Sequence, residues 1–149
     1  MAHRGVRLEP FRSRDQRAAR ALVLRGLGEH FGEIHAGMNP DLEDIAASYA
    51  RGYFVVGWTE RSLVGTGGFL PRSGSTVQIH RVSVASELRR DGIGSVIVAD
   101  LLEVARARGS ERVILETTDT WTGVISFWER LGFEPYERRD GDLFFSLDL

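Results

Sequence analysis

Residues 53–85 hold three apolar segments at hairpin spacing, and the third runs directly into a glycine-marked turn that opens an amphipathic helix. Tyr53–Thr59 is apolar, with β-branched and aromatic side chains. Glu60-Arg61 turns it into Ser62–Leu70, and Arg72–Ser75 turns again into Thr76–Ala85. Such spacing predicts an antiparallel meander. A helix follows from about Gly92 to Arg108, its buried face marked by Ile93, Ile97, Leu101 and Val104 with Val96 beside them, and Gly109 closes it. Arg112–Glu116 (RVILE) reads as a continuous apolar strand of the kind buried on both faces. A helix over about 120–131 ends at Gly132. A strand begins at Phe133, Arg139–Asp142 is a hairpin turn, and Leu143–Leu149 alternates as the last strand.

Upstream, Val6–Pro10 is a short strand. Ser13 is the expected N-cap of a helix to about His30, with Ala18 and Leu22 at helical spacing. Asn39 and Pro40 open a second helix, DLEDIAASYA, which Gly52 ends. The order is β-α-α-β-β-β-α-β-α-β-β, an α/β (α+β) layer fold with a mixed sheet. The 149 residues fit one domain over 1–149, and no repeat or linker divides them.

Composition excludes several function classes. With no cysteine there is no disulfide framework, thiolate metal site or cysteine nucleophile. No apolar run approaches the length of a membrane span, and the first residues lack a secretion signal, so the expectation is a cytoplasmic protein without membrane association. A net charge of −2 argues against nucleic acid as a partner. All 19 basic residues are arginine, which reads mainly as composition bias.

The strongest chemistry lies in Arg89-Arg90-Asp91-Gly92-Ile93-Gly94-Ser95. Two glycines let the backbone curl round an anion. The unpaired N–H groups of the helix start point together, and the helix dipole adds positive charge. Arg89 and Arg90 reinforce it. A P-loop would need a lysine that the chain lacks, and a dinucleotide-binding fingerprint would need to follow the first strand of a βαβ unit.

Arg89-x-x-Gly92-x-Gly94 resembles the R/Q-x-x-G-x-G/A signature of the GCN5-related N-acetyltransferase (GNAT) superfamily. The segment HRVSVASELRRDGIGSVIVADLLEVARARG resembles that family's fourth strand, pyrophosphate loop and third helix. VILETTDTWTGVISFWERLGF resembles its fifth strand and fourth helix. The resemblance implies a GNAT-type fold, a mixed central sheet of six to seven strands flanked by about four helices. It implies acetyl transfer from acetyl-CoA, as cosubstrate and without a metal, to a small-molecule or peptide amine by direct attack in a ternary complex. It implies that backbone groups of Val82, Ser83 and Val84 meet the pantetheine arm, with the Val84 N–H polarising the thioester carbonyl. N–H groups from Arg90 through Asp91, Gly92, Ile93 and Gly94 to Ser95 would hold the pyrophosphate, and a homodimer is common in the family. Two positions depart from the pattern. Trp128 stands where the family usually has a tyrosine that serves as general acid, and Trp121 where it often has asparagine near the cofactor. An indole N–H donates a hydrogen bond but does not surrender its proton. A non-catalytic acyl-CoA sensor of the same fold is the alternative reading.

For deprotonating the amine, period two places Gln78, His80, Val82 and Val84 on one strand face. His80 has a suitable pKa as base, the competing reading being a hydrogen-bonded core histidine, and Gln78 can hold water or substrate. The stretch Glu29, Glu33, Asp41, Glu43 and Asp44 is either an attractor for a cationic amine, with Glu33 foremost, or a solvated face. His30 and His35 lack a convincing ligand spacing. Gly65-Thr66-Gly67-Gly68 reads as a strand with close backbone approach or a bulge, and Tyr49, Tyr53 and Tyr136 as packing residues.

Overall fold

A computed structural model describes residues 2–3, 5–31 and 39–149. One eight-stranded sheet carries the molecule, in the order β1-β2-β3-β4-β5-β6-β8-β7. The strands are β1 (Ala2–His3), β2 (Val6–Pro10), β3 (Tyr53–Trp58), β4 (Leu63–Ser73), β5 (Thr76–Val84), β6 (Arg112–Thr118), β7 (Glu134–Arg139) and β8 (Asp142–Asp148). The helices are α1 (Gln16–Phe31), α2 (Ile45–Ser48), α3 (Ile93–Ala107) and α4 (Thr122–Arg130). Seven strands match the sequence reading, and the two-residue β1 is the eighth. All neighbours are antiparallel except β5 and β6. Among the described residues no helix is long and apolar enough to cross a membrane.

The helices cover both faces. Glycines of β4 allow this close packing. A Cβ on Gly65 or Gly67 would lie 2.6 or 2.7 Å from Ile97 of α3, and one on Gly68 would press Phe54 and Tyr49 on the α1–α2 side. The sequence GTGG is therefore a contact surface for both layers. Ile97, Leu101 and Ala105 of α3 are fully or almost fully buried with Val113 and Phe145 of the sheet. Gly109 and Gly132, with φ of 87° and 94°, end the residues after α3 and α4 in the left-handed region that glycine tolerates. Asp140 (φ 52°) and Gly141 (φ 84°) form the tight β7–β8 turn.

Four local readings need correction. Ser13 is not the cap of α1. Ser13–Asp15 is a 3-10 turn, and the buried Asp15 carboxylate accepts the Arg12 N–H at 2.9 Å. The expected second helix is interrupted: Pro40–Leu42 forms a 3-10 turn, and Asp44 caps a four-residue α2 by accepting the Ala47 N–H at 3.1 Å. Asp44 competes with the backbone for that N–H and starts a new helix in place of continuing the old one. Gly52 is required by space, since a Cβ would stand 1.9 Å from the Phe69 carbonyl oxygen. Finally, β6 is not buried on both faces. Its Val113, Leu115 and Thr117 are buried and Glu116 is exposed, because β6 borders an opening on its β5 side.

Candidate active-site cleft

Strands β5 and β6 begin as partners and then part. They pair over only Thr76–Gln78 and Arg112–Ile114, after which β5 runs on to Val84 and β6 to Thr118. The parting opens a cleft of about 990 Å³, lined by β5 from Gln78 to Val84, by Leu115–Thr117 of β6, by α4, and by Arg89, Arg90 and Gly94. Backbone groups of β5 beyond Gln78 have no β6 strand to pair with, so they are available to a ligand.

A bulge shapes this edge. Gly68 pairs with His80 and Thr66 with Ser83, so β5 uses three steps where β4 uses two. Arg81, in the extra position, adopts φ 59°. Directly paired residues project to one face. His80 and Ser83 therefore share a face, and Val82 and Val84 do not join them, correcting the simple alternation. Val82 and Val84 turn to the α3 side. Val82 Cγ2 lies 3.5 Å from a Cβ built on Gly67, and Val84 Cγ2 lies 3.7 Å from one on Gly94. Ser83 faces α1, its Oγ 3.8 Å from a Cβ on Gly26. Strain at Arg81 of about 1–3 kcal/mol is what the extra residue costs. It is offset by the Thr66 hydroxyl, which donates to the Arg81 carbonyl at 2.8 Å, and by the Arg81 side chain's own bonds.

The loop before α3 is built on two further left-handed residues, Arg90 (φ 75°) and Gly92 (φ 84°), with Gly92 at the helix N-cap. Ile93 is buried in the core, so it anchors the loop and leaves only its backbone for a ligand. Asp91 is exposed, and Asp91, Gly92, Ile93 and Ser95 are not among the residues that line the cleft. Gly94 packs against Phe127 of α4, where a Cβ would come within 3.3 Å of the ring. Arg89 is held from two sides. Its Nε donates to the Val84 carbonyl at 3.1 Å, and its Nη1 lies 2.5 Å from Glu29.

His80 is half-buried. Burial first, then the charges of Arg81 and Arg72, hold its pKa below the usual 6.5 against the opposing Asp41 carboxylate. It is thus neutral at physiological pH and able to accept a proton. Gln78 is registered with Ile114 across the parallel pair, so Gln78, His80, Ile114 and Glu116 project from one sheet face. Glu116 was missed in the sequence, where it closed a segment read as buried throughout. It is the one carboxylate among the described residues lining the cleft, beside Arg81, Arg89, Arg90 and Arg130. The signal available was a charged residue inside an apolar run.

Trp121 and Trp128 both line the cleft. Trp128 is 6% exposed and packs edge-to-face on Phe127 and Phe133, with centroids 5.0 and 5.1 Å away. No tyrosine lines the cleft among the described residues. The Tyr49 hydroxyl donates to Asp41 at 2.9 Å and that of Tyr53 to Asp100 at 2.8 Å, and burial raises both pKa values. Tyr136 stands exposed on β7.

The acidic stretch does not present a row of open carboxylates. Asp41 is paired with Arg81, Glu29 with Arg89 and Glu43 with Arg20, while Asp44 caps α2. Glu33 and His35 lie outside the described residues. Among the described residues no three potential metal ligands cluster.

The model of the acetyltransferase (GNAT) family matches residues 15–133. Probable N-acetyltransferase family 8 member 5 of Mus musculus is 34% identical over 122 residues, covering 76% of this chain and 54% of that protein. N-acetyltransferase 8B of Homo sapiens is 30% identical over 120 residues, covering 75% and 51%. N-alpha-acetyltransferase 30 of Schizosaccharomyces pombe is 30% identical over 110 residues, covering 66% and 73%. The chain spans about half the length of the first of these relatives. In fold, it is similar to an acetyltransferase of the GNAT family from Staphylococcus aureus Mu50, with a TM-score of 0.89 at 18% identity over 97% of this chain and 99% of that one. It is also similar to the PaiA N-acetyltransferase from Thermoplasma acidophilum in complex with coenzyme A, with a TM-score of 0.85 at 12% identity over the whole of both chains.

Proposed function

The chain belongs to the acetyltransferase (GNAT) family, and from that premise we propose that it transfers an acetyl group from acetyl-CoA to a primary amine, by direct attack while both are bound. The observation that carries this reading is the parting of β5 and β6, which leaves an unpaired strand edge, a loop for phosphates and two proton acceptors around one cleft. Its volume is at the upper end for ligand sites, room for a long cosubstrate arm and a small acceptor.

The residues fit an anionic cosubstrate. Arg89 and Arg90 flank the α3 N-terminus, whose N-cap is a glycine, and four arginines line the cleft beside a single glutamate. Backbone groups of Val82–Val84 hold the pantetheine arm, and the Val84 N–H polarises the thioester carbonyl. His80 and Glu116 face the acceptor from opposite walls. One of them takes the ammonium proton. The freed nitrogen lone pair then forms the C–N bond, the C–S electron pair leaves on sulfur, and the nitrogen's second proton passes to the thiolate or to water, which leaves the amide and CoA thiol. A thiol has an ordinary pKa near 8.5, so the thiolate is a tolerable leaving group. The Trp128 indole can at most steady it with a hydrogen bond.

A non-catalytic acyl-CoA-binding protein is the second reading, favoured by Trp128 in place of a titratable hydroxyl. The experiment that separates them measures thiol release from acetyl-CoA across amino-acid amides, peptides, polyamines, aminoglycosides and arylamines, together with the thermal shift given by acetyl-CoA. Release with one class is the expected result. A shift without release from any amine selects the second reading, and no shift overturns both.

A further inference from the structure

We propose that Gln78 recognises the acceptor, and that the acceptor carries a carbonyl beside its reacting nitrogen, as an amino-acid amide or peptide does. The proposal rests on the acetyl-transfer reading and narrows its substrate.

Gln78 sits on the last rung that joins β5 to β6, where the cleft begins. It is only 7% exposed and lines the cleft; no side-chain hydrogen bond ties its carboxamide to another described residue, and its amide atoms are not shut off from the cleft. A confined carboxamide that opens to the cleft is completed by water, or by a ligand that displaces that water and matches its donors and acceptor. Its position decides which ligand. Gln78 shares a sheet face with His80, two residues along the same strand, and with Glu116 across the parting. A group bound to Gln78 is therefore a neighbour of the nitrogen that loses its proton.

A carboxamide offers two N–H donors and one acceptor oxygen. An α-aminoacyl group matches both, since its N–H donates to Gln78 Oε1 and its carbonyl accepts from Nε2. A polyamine carries donors alone and leaves Nε2 unpaired. Polyamines also need several carboxylates, and those on this side are occupied. Asp41 is held by Arg81, Glu29 by Arg89 and Glu43 by Arg20. Glu116 alone among the described cleft-lining residues suits one ammonium.

The test compares L-alaninamide with isopropylamine, its analogue lacking the carbonyl, in the wild type, Gln78→Leu and Gln78→Met. Their different basicities cancel when the ratio of kcat/KM values is compared between proteins. A site built around a hydrogen bond rejects the analogue strongly, so the wild type should prefer alaninamide by about 10²-fold or more. Both variants should lose at least about tenfold of that preference through KM for alaninamide, with a smaller loss for isopropylamine, which offers Gln78 only its N–H. A preference that survives both substitutions, or a wild type that favours spermidine, overturns the proposal. A second readout needs no turnover. N-acetyl-L-alaninamide with CoA should raise the Tm of the wild type above CoA alone, and should not do so in Gln78→Met. If no amine releases thiol the transfer reading has failed, and this shift judges Gln78 separately: its absence in the wild type rejects the role.

Discussion

Arg81 grips Asp41 with two nitrogens, Nε to Oδ2 at 3.0 Å and Nη2 to Oδ1 at 2.7 Å, while its own backbone occupies the left-handed region in mid-strand. Nη2 also reaches Asn39 Oδ1 at 3.1 Å, and Tyr49 completes Asp41. The pair thus ties the Pro40–Leu42 turn to the bulge of β5, and the bulge decides that Ser83, and not Val82 or Val84, shares the face of Gln78 and His80. A bidentate guanidinium–carboxylate pair is rigid enough to hold a strained residue in place.

Asp41→Asn should lower stability at pH 7 by about 1–3 kcal/mol, because it leaves a half-buried guanidinium without its counter-charge. Burial raises the Asp41 pKa, but the hydrogen bonds and charge of Arg81, with the Tyr49 hydroxyl, outweigh it and hold the carboxyl below its ordinary 3.8. A depressed carboxyl pKa gives stability that is present above the unfolded value and lost as pH falls through the folded one. Urea midpoints of wild type and variant should therefore differ at pH 7 and converge only as the pH falls below the ordinary 3.8. A gap that persists in acid would show that Asp41 acts through shape and not charge.

His80→Gln should reduce kcat by about 10²–10⁴ and abolish the acid limb of the pH profile, if His80 takes the amine proton. In the wild type that limb should fall below 6.5, the direction in which burial and the facing Arg81 and Arg72 move His80, with Asp41 opposing and Glu116 across the cleft. The unfolded chain protonates this histidine more readily, so it weakens folding as pH drops below 6.5. The variant should then be relatively more stable near pH 5 than at pH 8. A retained acid limb in His80→Gln would transfer the role to Glu116.

Gly67→Ala should destabilise by about 1–3 kcal/mol, since the new methyl would stand 2.7 Å from Ile97 and 3.1 Å from Leu101, both fully buried. Gly123→Ala in α4 is the control. It meets nothing within 4 Å and should raise stability by about 0.5 kcal/mol through helix propensity. Chemical denaturation of the two variants checks both signs.

Trp128→Phe should cost about 1–3 kcal/mol of stability by emptying part of the aromatic cluster with Phe127 and Phe133. Its kcat should fall by less than about tenfold, and the alkaline limb of the pH profile should keep its midpoint, because an indole does not titrate there. Trp128→Tyr should add a new alkaline limb if the position faces the leaving sulfur. An alkaline midpoint that moves in Trp128→Phe would count against the hydrogen-bonding role assigned to the indole.

The seven longer strands, α1, α3 and α4 were legible in the sequence, since periodicity, Gly109 and Gly132 are local signals. So was the glycine turn that opens α3, whose Arg89, Arg90 and Gly94 come to the cleft. The split of the second helix was not, because the competition between Asp44's side chain and the backbone at Ala47 is settled only when the segment packs on the sheet. Glu116 was overlooked for a similar reason: an apolar run has no mark for the point where its neighbouring strand departs.

Sequence alone therefore determined the order of elements, the glycine turn that presents backbone N–H groups and the absence of thiol chemistry. These depend on residues close in the chain. Tertiary structure decided that Glu116 joins Gln78 and His80 on one face while Val82 and Val84 leave it, where β5 leaves β6, and which arginine neutralises which carboxylate. Those relationships arise from the short Gln78–Ile114 register, from one extra residue opposite Gly67 and from ion pairs between residues 40 and 60 positions apart. A pairing register shifts every later side chain, so no local pattern can encode it without its partner strand.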